Sequence, residues 1–160
     1  MSSEKLYMGI DQSLTKTGIV VSDSEGVLKY NFLIKTDNKK DMVYRLLFIV
    51  SRIYIIITSL NISSPVFIEG LSNRSLSSRR NELAALFYLI VSSLYILGIE
   101  YLQFAPKSMK LRITGNGNAS KEEVRDTLNK RFNTNIKKLD ISDAYGILIS
   151  GLEEIGIIKK

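Results

Sequence analysis

The order in which two kinds of apolar segment occur constrains this fold more than any other feature of the sequence. Short β-branched runs come first, and longer runs with helical spacing follow. Residues 5–10, 17–22 and 27–35 are rich in β-branched and aromatic side chains and are separated by turn formers such as Asp23, Ser24, Glu25 and Gly26. This pattern predicts three strands in a meander. Val43, Leu46, Leu47, Val50, Ile53, Ile57 and Leu60 then recur at i, i+3, i+4 and i+7, predicting a helix over 40–61 whose β-branched last third also fits a strand. Pro65 begins a short buried strand, Val66-Phe67-Ile68, that ends at Glu69 and Gly70. Residues 79–97 read as a second helix and 100–105 as a fifth strand. Ser120 with Glu123 forms a capping-box signature before Val124, Leu128 and Phe132, and a last helix runs from near Asp140 to about Ile155. The resulting order, βββαβαβαα, predicts an α/β fold with one mixed five-stranded sheet flanked by helices, in a single domain spanning 1–160.

The chain has no cysteine and no histidine, which excludes a disulfide framework, a Cys/His zinc site and any triad built on histidine. Metal or acid/base chemistry here has to use carboxylates, lysines or hydroxyls. The net charge of +6 is matched by the stretch 104–138, where nine Lys/Arg face three acids. Such a basic surface suits a polyanion, although a solvated face has the same composition. The start of the chain lacks the basic and apolar regions of an export signal. Residues 43–60 and 83–97 are apolar, but the first contains Arg45 and Arg52 and the second is shorter than the roughly 20 residues of a membrane span. Both are expected to be buried helices of a cytoplasmic protein, with no membrane partner.

Four acids stand where chemistry is commonly placed. Asp11 ends a hydrophobic strand just before a tight turn, a position that ligands favour in α/β folds and that an Asx-type turn also explains. Glu69 ends a strand next to the core, where an unpaired charge is costly and an ion pair is the ordinary alternative. Asp140 and Asp143 lie at i and i+3, one turn apart on the same helix face. Helix capping by Asp140, with Asp143 in the first turn, accounts for the same pair. Together the four form an all-oxygen set of the kind that hard divalent ions require. Two such ions about 3.5–4 Å apart activate water and neutralise the leaving oxygen in phosphodiester hydrolysis.

Four stretches carry a resemblance to a known family. GIDQSLTKTG (9–18) and VFIEG (66–70) look like two acid-bearing strand motifs, DISDA (140–144) looks like a C-terminal D-x-x-D-A motif, and APKSMKLRITGNGNASKEEV (105–124) is the most specific. In these stretches and over nearly its whole length, the chain resembles RuvC-type Holliday junction resolvases of the RNase H-like superfamily. The resemblance implies that Asp11, Glu69, Asp140 and Asp143 bind two Mg²⁺, with Mn²⁺ as a substitute, and that Lys110 and Lys121 lie near the scissile phosphate. It also implies cleavage of four-way junctions by paired nicks. Lys107, Lys110, Arg112 and Lys121 are the expected DNA contacts of the basic segment. Two departures stand out. Gln12 replaces the family's proline after the first acid, and positions 71–82 hold no aromatic residue where relatives place one to stack at the junction. Arg74, Arg79 and Arg80 in that stretch are expected to hold phosphates instead, which positions a duplex without reading its sequence.

Helix 79–97 has almost no polar face, so both its sides need cover. The expected second cover is another copy of the chain, giving a homodimer whose two sites match a nearly two-fold junction. The rival readings are a nuclease of the same fold acting on flaps, forks or RNA–DNA hybrids, and a protein that binds branched DNA without cutting it. A sugar kinase with a similar phosphate loop needs a far longer chain.

Overall fold

The computed structural model describes residues 4–71 and 80–159. Strands β1 (Tyr7–Asp11), β2 (Lys16–Ser22), β3 (Leu28–Lys35), β4 (Val66–Glu69) and β5 (Tyr101–Phe104) form a single sheet in the order β3-β2-β1-β4-β5. The first three pair antiparallel as a meander, while β4 runs parallel to β1 and β5 parallel to β4. Parallel neighbours need long crossovers, and helices α1 (Met42–Leu60) and α2 (Arg80–Ile96) lie in the two connections concerned. Asp41 caps α1 by accepting bonds from the Val43 and Tyr44 amides, and Asn61 closes the helix in the left-handed region.

Alternation along the strands sorts the core into two clusters. Met8, Ile10, Ile19, Val21, Val66 and Ile68 face α1 and α2. Tyr7, Val20, Phe67 and Phe104 face the other way, toward α5 (Leu139–Glu154). Every residue of α5 from Ile141 to Glu153 is buried, because the helix lies between the sheet and two further helices. Two glycines allow its start to approach the sheet closely. A Cβ at Gly9 would stand 2.4 Å from the Ala144 carbonyl oxygen, and one at Gly18 would stand 2.2 Å from the Asp140 carbonyl oxygen.

The expected sheet and fold class are present, and the structure adds one helix to the expected order. Helix α3 (Pro106–Thr114) sits between β5 and α4 (Lys121–Phe132), so the order is βββαβαβααα. At nine residues with only Met109 and Ile113 buried, α3 is too short to announce itself by periodicity. Its ends do carry local marks, proline in the first turn and Gly115 at φ +78° just beyond the last.

Two expectations change. Helix α5 begins at Leu139 after Lys138, so Asp140 lies inside the first turn and is not the cap. Helix α1 is long and apolar enough for a membrane span by length and composition, yet it seats only one face on the sheet, through Leu46, Ile49, Ile53 and Ile57. Its other face leaves Val43, Tyr44, Leu47, Tyr54 and Ile55 exposed, so α1 is a covering helix and not a fully buried one.

Candidate active site

Register places the first two acids together. Ile10 of β1 pairs with Ile68 of β4, so the next residues, Asp11 and Glu69, end the two parallel strands side by side. Asp11 shares its face with Tyr7, and Glu69 shares its face with Phe67, both of which pack in the cluster under α5. The two carboxyls therefore emerge on the side where α5 begins, and they approach within hydrogen-bonding range of each other. The turn after Asp11 is closed without it. The Ser13 amide donates to Thr17 Oγ1 at 3.1 Å, and that hydroxyl donates to the Ser13 carbonyl at 2.8 Å. The Asx-turn explanation of Asp11 is thus not what the structure shows.

Gln12 extends the strand pairing beyond its last ladder residues. Its Nε2 donates to the Glu69 carbonyl at 2.7 Å and ties the ends of β1 and β4 together. Gln12 Oε1 is buried without a partner. Gln12's tie to Glu69 is the contribution that sequence reasoning did not foresee; the one signal was a long polar side chain at that position.

Helix α5 brings Asp143 to the same place, and α4 brings a cation. Lys121, the first residue of α4, donates to Asp143 Oδ2, and its charge also acts on Asp11 and Asp140. The capping box that starts α4 holds it there, with the Glu123 amide donating to Ser120 Oγ and the Ser120 amide donating to Glu123 Oε2. Glu69, Lys110, Lys121 and Asp143 line a pocket of about 230 Å³ walled by Phe104, Pro106, Met109 and Ile147. Asp140 reaches this group through its charge on Lys121 and does not line the pocket.

The electrostatics follow from burial and crowding. Asp11 and Asp143 are only 8% and 6% exposed. Burial pushes the Asp11 pKa up to about 10, and the hydrogen bond and charge of Glu69 and the charge of Asp143 add to this, while Lys121 opposes it. Burial disfavours the Lys121 charge, but the bond to Asp143 and the charges of Asp143, Asp11 and Asp140 hold its pKa above the usual value. Among the described residues no group of three or more acids stands in ready metal-ligand geometry, and the Lys121 ammonium is bonded to Asp143. The donors nevertheless suit a hard cation. They are all carboxylate oxygens, and Asp143 Oδ1 is buried without any partner.

The remaining expected contacts separate. Lys107 is exposed on the first turn of α3, and Arg80 is exposed at the start of α2. Arg112 pairs with Glu154 at the opposite end of α5 from Asp140 and Asp143, so the structure does not bring it to the site. Arg74 and Arg79 lie outside the described residues, as does most of the segment 71–82.

The five-stranded mixed sheet, with acids ending β1 and β4 and a third acid on α5 beside two lysines, gives this chain an RNase H-like fold. More specifically, it belongs to the family "Crossover junction endodeoxyribonuclease RuvC", whose model matches residues 7–151. The RuvC of Ehrlichia canis is 31% identical over 145 residues, covering 89% of this chain and 92% of that protein. The RuvC of Orientia tsutsugamushi is 32% identical over 145 residues, covering 87% and 89%. The Thermus thermophilus RuvC structure superposes with a TM-score of 0.81 at 18% identity, covering 94% of this chain and 95% of that one, and so supports the fold.

Proposed function

We propose that this protein is a structure-selective endodeoxyribonuclease, a single domain spanning 1–160 that resolves four-way DNA junctions by paired nicks. The observation that carries the reading is the convergence of Glu69, Asp143, Lys110 and Lys121, drawn from β4, α5, α3 and α4, at one pocket, with Asp11 of β1 beside Glu69 and Asp143, in a RuvC-family chain. The T. thermophilus RuvC, which has this fold, has been solved in complex with a Holliday junction substrate, with a TM-score of 0.79 at 16% identity, covering 96% of this chain and 97% of that one.

Asp11, Glu69, Asp143 and Asp140 would hold two Mg²⁺, with Mn²⁺ as a substitute. Bound there, the ions supply the Lewis acidity that makes water a nucleophile and neutralises the leaving 3′ oxygen. The chain's own residues do the rest. Gln12 holds Glu69 in line with Asp11, and the glycines at 9 and 18 let α5 deliver Asp143. Lys121 is the counter-ion that balances the acids, and Lys110 faces the same pocket, where a phosphate fits its charge. Phe104, Pro106, Met109 and Ile147 form the apolar part of the pocket wall.

The assembly we propose is a homodimer through α2. Tyr88, Leu89, Tyr95 and Ile96 form an outward stripe at helical spacing, with Tyr95 87% and Ile96 80% exposed. A two-fold dimer presents two pockets to a junction of nearly the same symmetry, which yields paired nicks in strands of like polarity. A cytoplasmic location goes with this DNA substrate. The lack of aromatic residues in 71–82 favours a second reading, a broader range of flaps and forks with little sequence preference. Incubation of the protein with a four-way junction, a flap and an RNA–DNA hybrid in Mg²⁺ separates the possibilities. Junction cutting is expected first and fastest, and cutting of the hybrid alone would contradict the reading.

A further inference from the structure

Resting on the reading of the protein as a DNA nuclease, we infer a second phosphate-binding track, in a groove between β3 and the segment 135–138, that carries DNA away from the catalytic pocket. Leu28, Asn31, Asn135, Lys137, Lys138 and Ile141 line this groove, which has a volume of about 320 Å³. It lies beside the start of α5, the helix that bears Asp140 and Asp143. At 1.5 Å rise per residue, Lys138 is about 7.5 Å along the helix from Asp143. The strand side of the groove is on β3, three strands from β4 and so roughly 14 Å across the sheet from the strand that carries Glu69, which at about 3.4 Å per nucleotide places the groove roughly four or more nucleotides from the pocket.

Charge distribution singles the groove out from an ordinary solvated face. Four of the nine basic residues in 104–138 are neutralised: Lys121 by Asp143, Arg112 by Glu154, Arg125 by Asp126 and Arg131 by Glu153. Among the described residues, Lys137 and Lys138 pair with no carboxylate, and both are exposed. Of the five unneutralised cations, Lys110 lines the catalytic pocket and Lys137 and Lys138 line the groove, while Lys107 and Lys130 are exposed and line neither, so the groove holds two of the five, side by side in sequence.

The strand side has its own irregularity. Asn31 pairs across to Val20, and Val20 belongs to the core cluster under α5, so Asn31 occupies the inward face of β3. Two residues further on, Leu33 packs against that cluster, whereas Asn31 stays exposed and presents an amide. Two ammonium groups with the Asn135 amide beside them and the Asn31 amide on the strand side of an open groove fit a phosphodiester backbone, for which lysine supplies charge and asparagine supplies hydrogen bonds without reading bases.

The test uses the whole protein with Lys137→Ala plus Lys138→Ala, and the corresponding double arginine variant as a charge-preserving control. Binding of a labelled four-way junction and of a plain duplex is measured in EDTA across salt concentrations. Cleavage is measured at saturating junction in Mg²⁺. The alanine pair should weaken binding about tenfold and lower the log–log salt slope by about 1 to 2, since each phosphate left unneutralised removes about 0.9 from it. The arginine pair should restore both, and the saturating cleavage rate should stay within about twofold of wild type in each. Unchanged affinity and slope for the alanine pair would overturn the track. The wild-type protein's own cleavage pattern reports separately on the junction reading, and the duplex arm still tests the groove if junctions are left uncut.

Discussion

Asp11 is the residue whose chemistry the fold alters most. Its folded pKa, near 10, lies above the value of about 3.9 expected for an unfolded aspartate. The folded protein therefore keeps a proton that the unfolded chain releases, and in EDTA this stabilisation is lost as pH rises between those two values. Asp11→Asn removes the linkage, so its melting temperature in EDTA should fall less from pH 5 to pH 9 than that of the wild type. Parallel melting curves would show that Asp11 does not titrate this way. Asp143→Asn should lower cleavage by more than the ten- to hundredfold that outer-shell partners usually cost, while junction binding stays intact or tightens. A gel-shift and a cleavage assay on the same preparation check both halves. At this scale the sequence was informative, because each acid ends a strand or opens a helix and those positions follow from local pattern. Pairing of Lys121 with Asp143, and of Arg112 with Glu154, was not legible, since each joins segments at least 22 residues apart through tertiary packing alone.

Elements carry the precision of the site. Gly18 allows α5 to start against β2, and Gly18→Ala would force its Cβ onto the Asp140 backbone. Overpacking of this kind costs about 1–3 kcal/mol, and moving the start of α5 should also raise the Mg²⁺ concentration needed for half-maximal cleavage. Urea unfolding and a metal titration measure the two effects, and a shift in stability with unchanged metal demand would mean that Asp140 and Asp143 are positioned by other contacts. Ser120→Ala breaks the capping box that starts α4 at Lys121 and should cost about 1 kcal/mol. The strands and the longer helices were readable because period and turn chemistry agree over many residues. Helix α3 was not, since two buried positions make no period, and Asp140 looked like a cap because the true N-cap, Lys138, makes no side-chain cap bond.

At the scale of the whole molecule, the mixed sheet was legible from element order, while the layering was not. The sequence does not distinguish a helix buried on all sides from one that covers a sheet with a single face, so the burial expected of α1 was not met. Helix α5 is the enclosed one, and α1 keeps an apolar outer face. The stripe on α2 leads to a prediction about assembly. Tyr95→Glu with Ile96→Glu should convert a dimer to a monomer in sedimentation velocity and uncouple the two nicks, and a wild-type monomer would refute the α2 interface. The most direct test of the whole account is to map nicks on a labelled, immobile four-way junction in Mg²⁺, in Mn²⁺ and in EDTA. Paired, symmetric cuts in strands of like polarity, present with either metal and absent in EDTA, are the predicted result. Cleavage that persists in EDTA, or a junction left whole in both metals, would contradict it.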